Sequence, residues 1–236
     1  MALYKEQGIV LRTMRLGEAD RIVTILTQGT GKVRAVAKGV RKTKSRFGAR
    51  LEPFTHVDLL LYQGRELDIV TQADIITSFR DLRSDYGRFA AGEMILEAAD
   101  RVGQEHERNA PLFLLLLNAL RRLADPETAP GLIADAFLLR LTSLAGFRPS
   151  LAACAECGAR DAARFSIQQG GMICDRCRVG GTVRVGEETV PYMTGLLDDI
   201  PVAVSDETRR EASNLVRAYL EYHLDRPLRA WAHVPR

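Results

Sequence analysis

Close to residue 80 the chain changes its rule for placing apolar side chains, and that change limits the folds open to it. Before this point the pattern is that of strands. In "KVRAVAKGV", Val33, Ala35 and Ala37 alternate with Lys32, Arg34, Val36 and Lys38, the period of two of a half-buried strand. "GIVLRTMRL" (Gly8 to Leu16) and "DRIVTILT" (Asp20 to Thr27) are rich in β-branched residues and are separated by Gly17. "QGTG" forms a hairpin turn into the third segment, and Gln63–Gly64–Arg65 joins "HVDLLLY" to "ELDIVTQADII". Five short strands in meander-like order predict a small closed or nearly closed barrel of the OB type. An SH3-like barrel fits the same spacing.

From Asp81 the period becomes helical. "LRSDYGRFAAGEMILEAADRVG" is one helical segment, and "NAPLFLLLLNALRRLAD" is a second, with Asn109 placed to cap it and Pro111 in its first turn. "GLIADAFLLRLTSLAGF" stops at Gly146, reinforced by Pro149. Ser205 can cap a last helix with Ala212, Leu215, Val216, Tyr219, Leu220 and His223 along one face. The expected class is therefore α+β and multidomain. An OB-fold barrel spans 1–80 and a helical bundle spans 81–150 and 183–236. A cysteine module, 151–182, is inserted between the two helical parts.

That module carries "CAEC" and "CDRC", which place Cys154, Cys157, Cys174 and Cys177 as C-x2-C-x16-C-x2-C. The spacing is that of a zinc ribbon. Each C-x2-C makes a tight knuckle with two thiolates pointing one way, and two knuckles complete a tetrahedral all-thiolate shell for one Zn²⁺. Gly158 suits the turn after the first knuckle, and Gly170–Gly171 let "RFSIQQGGMI" fold back as a hairpin. A shell filled by four protein ligands leaves no position for water, so the expected zinc is structural. A redox pair of cysteines would sit between a strand and a helix, whereas here two copies flank a hairpin.

The charge is unevenly spread. The chain of 236 residues is nearly balanced, at +3, yet 14 Lys and Arg face 8 Asp and Glu up to Arg80, leaving 19 against 22 in the remainder. No acid stands between Thr24 and Glu52, a span that holds Arg34, Lys38, Arg41, Lys42, Lys44, Arg46 and Arg50. Such a run on a barrel points to a polyanion. Phe47 adds one ring able to stack on a base, but aromatics are only 6% of the chain. Affinity is then expected from phosphate neutralisation, with little sequence preference.

Catalytic motifs are missing. "TGKV" has Leu26 and Val33 where a phosphate loop needs Gly and Ser or Thr, and His106–Glu107 is followed by Ala110 where a metalloprotease helix needs His. His56, His223 and His233 are scattered. Asp198–Asp199 and Glu187–Glu188 are adjacent pairs whose side chains diverge. No enzyme is expected. The longest apolar run, Leu112 to Leu117, is far too short to cross a bilayer, and "MALYKEQGIVLR" lacks the marks of a signal peptide, so a cytoplasmic protein is expected.

"GIVLRTMRLGEADRIVTILTQGTGKVRAVAKGVRKTKSRFGARLEPF", with "AGFRPSLAACAECG" and "GGMICDRC", resembles the RecO family of bacterial recombination-repair proteins along essentially the whole chain. The resemblance implies a non-enzymatic mediator with an N-terminal OB-fold, a helical domain and, in many members, a four-cysteine zinc module. Such proteins bind single- and double-stranded DNA and anneal complementary strands. With RecR they help RecA load on DNA coated by SSB, whose acidic C-terminal tail they contact. All four cysteines carry over, and the DNA-binding barrel maps onto the seven basic residues named above. For the SSB tail an apolar groove edged with Arg would serve, and Arg121, Arg122 and Arg140 are candidates. Another nucleic-acid-binding OB protein, acting on RNA, is the alternative reading.

Overall fold

A computed structural model describes residues 2–43, 45, 47–225 and 227–230. Five strands, β1 (Leu3–Leu16), β2 (Asp20–Thr27), β3 (Gly31–Ala37), β4 (Thr55–Tyr62) and β5 (Asp68–Ser78), close into a barrel in the order β1-β2-β3-β5-β4. All pairings are antiparallel except the short parallel contact of β3 with β5, Ala35↔Asp68 and Val36↔Ile69. This closure is the OB arrangement and removes the SH3-like alternative. Val10, Val23, Ile25, Val33, Val57 and Leu61 fill the interior. β1 begins five residues before the expected strand. Leu3–Gln7 has no clear apolar face and is held by pairing with β4, from Leu3↔Tyr62 to Gln7↔Asp58.

The chain divides into two compact units, one built on Met1–Ile133 and rejoined at Arg229, the other on Ala134–Leu228. In the first unit the barrel is covered by α1 (Tyr86–Val102) and α2 (Ala110–Ala124). Asp85 caps α1 by accepting from the Arg88 N–H, and Asn109 caps α2 by accepting from the Leu112 N–H. Phe54 is buried between barrel and helix: its ring lies 5.9 Å from that of Phe89 and against Gly92, where a Cβ would come within 2.6 Å of it. The turn before β3 presses on the segment between the helices. The Lys32 N–H donates to Gln104, the His106 N–H donates to Lys32, and Gly31 (φ 83°) has no room for a Cβ beside the Glu107 carbonyl. Arg88 donates to the carbonyls of Leu123, Asp125, Pro126 and Thr128, closing the end of α2.

The second unit contains most of α3 (Pro130–Leu144), then α4 (Thr189–Asp198) and α5 (Asp206–His223), with a three-stranded sheet of β6 (Arg164–Ser166), β7 (Gly171–Ile173) and β8 (Val183–Arg184) in the order β7-β6-β8. Ser205 caps α5 as expected. The expected hairpin is β6–β7. α4 was not foreseen, because its sequence, "TVPYMTGLLD", mixes Pro, Gly and β-branched residues of low helix propensity. Burial of Tyr192, Met193 and Leu196 stabilises it instead. The sheet is fastened to α5 through Phe165 and Tyr219, whose rings meet edge to face at 5.6 Å. No helix among the described residues is long and apolar enough to cross a membrane.

Candidate nucleic-acid interface and metal centre

The basic segment leaves the barrel at the end of β3 and returns at Thr55. Its start is tied to the β1–β2 turn: the Gly39 N–H donates to the Asp20 carboxylate at 2.7 Å, the Arg41 N–H to the Ala19 carbonyl at 3.0 Å, and the Arg41 guanidinium to the Gly17 and Glu18 carbonyls. Its far part is pinned by Phe47 and Leu51, both in the barrel core. Phe47 is 1% exposed, so it cannot stack on a base as the sequence suggested. A large ring beside an open barrel end gains more from burial than from solvent exposure, and it anchors the loop.

The cations therefore differ in availability. Lys38 and Lys42 are exposed, and their ammonium groups make no hydrogen bond or ion pair among the described residues. Arg41 is exposed but fixed by the turn carbonyls. Arg34 projects from β3 opposite Thr24 and reaches Glu105 at 3.8 Å. Arg50 is half-buried, bonds to the Phe47 carbonyl, and lines a cleft of about 230 Å³ with Thr71, Gln72 and Asp74. Lys44 and Arg46 lie outside the described residues. One contributor was missed in sequence. Arg15 on β1 stands directly opposite Arg21 on β2, and only Arg21 has a carboxylate, Glu52 at 2.5 Å. Like charges opposed across an antiparallel pair repel, so Arg15 adds exposed positive potential next to the same turn. The signal was present in "RTMR", but the register shift between Val10 and Arg12 breaks the alternation that would have revealed its facing.

A cavity of about 520 Å³ in the first unit is a poor phosphate site. Its lining is largely apolar, with Leu11, Phe89 and Leu96, its acids are Glu93, Glu97 and Asp100, and of its two arginines, Arg12 and Arg229, the first is paired with Asp100 at 2.6 Å. Burial raises the Glu93 carboxyl above its ordinary range.

The four cysteines come together in the second unit, their sulfurs all within 4.8 Å of one another. Each sits in the expected knuckle. The Gly158 N–H donates to the Cys154 carbonyl at 2.9 Å with Gly158 at φ 73°, and the Cys177 N–H donates to Cys174 at 3.2 Å. Cys154 and Cys174 are buried, Cys157 is exposed. Backbone N–H groups of Cys174 and Cys157 draw the Cys154 thiol down to about 6, while the neighbouring Cys157 sulfur pushes Cys177 up to about 12. Without a cation four thiolates cannot share this space. A tetrahedral ion with bonds of about 2.3 Å needs sulfurs about 3.8 Å apart, and Cys157 and Cys174 stand 3.7 Å apart. The donor set and its spacing fit a metal ion held by four thiolates.

Arg121 and Arg122 occupy the last turn of α2, Arg121 exposed and Arg122 half-buried. Arg140, on α3 in the other unit, donates to the Leu196 carbonyl and to Asp199, both at 2.8 Å, at the end of α4.

Comparison with known proteins agrees with this architecture. The family described as "Recombination protein O N terminal" matches residues 1–79 and "Recombination protein O C terminal" matches residues 83–232. The DNA repair protein RecO of a Nocardioides species is 51% identical over 99% of this chain and all of its own length. Those of Frankia casuarinae and Thermobifida fusca are 48% and 47% identical over the full length of both chains. A barrel with a basic loop, a helical unit with a four-cysteine cluster, and matches from end to end place this chain in the recombination protein O family of DNA repair proteins.

Proposed function

We propose that the chain binds single- and double-stranded DNA largely without sequence preference and anneals complementary strands by holding them, with no bond made or broken. The observation that carries this reading is the pair of unpaired, exposed lysines, Lys38 and Lys42, beside Arg41 and Arg15 on a closed OB barrel. Two strands repel through their phosphates, and a fixed cationic surface lowers that repulsion. With Phe47 buried, the basic loop offers charge and no described ring, which favours phosphate contacts over base readout.

The same reading has the protein act with RecR to help RecA load on SSB-coated DNA. Arg121 suits an acidic, apolar tail such as that of SSB. Arg140 would have to act from a guanidinium already bonded to Leu196 and Asp199. The four cysteines would hold one structural Zn²⁺, stapling the sheet to its knuckles. The working division is a barrel to residue 80, helices over 81–150 and 183–236, and the cysteine module at 151–182.

The test is the salt dependence of binding to a single-stranded oligomer. About five phosphate contacts give a slope of log K against log salt of roughly −3.5. Reversing Lys38, Arg41 and Lys42 to Glu removes most of that slope and slows annealing of an SSB-coated oligomer. A wild-type slope near zero, or an unchanged triple variant, overturns the reading. Tighter binding to matched RNA than to DNA would favour the RNA-binding alternative.

A further inference from the structure

The cysteine module repeats, in miniature, an arrangement of the barrel. Arg164 on β6 is paired directly with Arg184 on β8, so two guanidinium groups share one face of the sheet with Cβ atoms roughly 5 Å apart. One carboxylate answers them: Asp175 lies 3.5 Å from Arg164. Arg184 is exposed and its guanidinium has no hydrogen bond or ion pair among the described residues, and the same holds for the Arg178 guanidinium. In the barrel, Arg15 and Arg21 are opposed in the same way, with Glu52 answering Arg21.

Side chains alternate across a strand, so the arginines lie on the face opposite Phe165. Phe165 is buried against Tyr219 of α5, which turns the arginine face outward. Between Arg178 and Arg184 runs "VGGTV", with Val179, Gly180, Gly181 and Val183 exposed and nothing within 4 Å of where a Cβ would stand on either glycine. That stretch keeps its own backbone clear for the approach of another chain. Arg176 is left out of the set, because it lies between the knuckle cysteines Cys174 and Cys177.

Two opposed forks with one carboxylate cost stability in the free protein unless an anion is meant to lie between them. A guanidinium presents a planar pair of donors that matches a phosphodiester. We propose that this outer face, built on Arg164, Arg178 and Arg184, is a second DNA-backbone contact, distinct from the barrel loop. The proposal rests on the DNA-binding reading of the barrel and extends it. A chain with two separate phosphate-binding surfaces engages two strands at once, which is what annealing demands.

The experiment compares wild type, an Arg178→Ala/Arg184→Ala variant, the Lys38→Glu/Arg41→Glu/Lys42→Glu variant, and all five changes together. Metal content and thermal midpoint check that the module stays folded; Arg164 is left in place to keep its tie to Asp175. The first readout is the salt slope on a single-stranded oligomer. The second is bridging of two non-complementary labelled oligomers by energy transfer. The expected result for the arginine variant is a slope shallower by about 1.4, at roughly 0.7 per lost phosphate, and loss of bridging, with single-oligomer binding retained. The lysine variant keeps a residual slope that becomes shallower still when all five are changed. An arginine variant that keeps the wild-type slope and bridging, while the lysine variant loses both, overturns this proposal and leaves the barrel reading intact. Failure of wild type to bind at all overturns the barrel reading instead. An arginine variant unchanged on DNA but defective with an Asp-rich apolar peptide would reassign the face to an acidic protein segment and also overturn the proposal.

Discussion

Asp135 offers a sharp test of how the helical unit is held together. Its carboxyl is buried on α3, 5% exposed, and accepts from the Ser213 hydroxyl of α5 at 3.0 Å. The Tyr192 hydroxyl of α4 is buried with no hydrogen-bond partner among the described residues; burial pushes it up to about 12, the Asp135 charge adds to this, and Arg209 opposes both. No cation pairs with Asp135 among the described residues. Burial pushes its carboxyl from the ordinary 3.8 to about 7, against the smaller opposing effect of Ser213. At ~1.4 kcal/mol per pH unit, that difference corresponds to about 4 kcal/mol. The sign follows from proton counting. Between about pH 4 and 7 the folded chain keeps a proton that the unfolded chain has lost, so stability falls as pH rises across that window. Above about pH 7 the full cost of a buried charge is present. Asp135→Asn keeps the shape and the acceptor for Ser213 but never ionises. Urea denaturation of both proteins from pH 4.5 to 8, followed by far-UV circular dichroism, reads the difference directly. The variant should gain on wild type steadily with pH, by a few kcal/mol overall. A difference that does not change with pH would refute the claim that Asp135 is held protonated by burial.

Three further outcomes are expected. If the four cysteines hold a metal as proposed, Cys174→Ser or prolonged chelation should lower metal content and the thermal midpoint of the second unit, checked by metal analysis and calorimetry, while the binding proposed for the barrel loop should persist. His56 is buried with both ring nitrogens unpartnered and its ring against Phe113. Burial, with help from Arg121, lowers its pKa, so stability is lost as pH falls through about 6.5 and the unfolded imidazole takes up a proton. His56→Phe should flatten that acid limb in a pH series of melting curves. Arg88→Ala removes donors to four carbonyls at the end of α2 and should cost about 1–3 kcal/mol in denaturant titration; Arg88→Lys recovers little, because one ammonium cannot span the four acceptors.

Much of the architecture was legible before any coordinates. Alternation in "KVRAVA" and the caps at Asn109 and Ser205 are local signals, set by strand and helix geometry, and they marked the elements closely. The cysteine spacing carries its own geometry, since each knuckle is made within four residues. The start of β1 and the whole of α4 were not legible, because pairing with β4 and burial of Tyr192 and Met193 decide them against weak local preference.

The site divides in the same way. The order of residues alone determined that a basic segment would follow the third strand, since it shows where acids are missing. Which cations stay available was decided by partners remote in sequence: Glu105 engages Arg34, the β1–β2 turn fixes Arg41, and the barrel core takes Phe47. The opposed arginines, Arg15↔Arg21 and Arg164↔Arg184, exist only once strand register is set. A linear pattern reports what neighbours along the backbone must do, whereas register and burial depend on which distant segments meet, and that is a property of the folded whole.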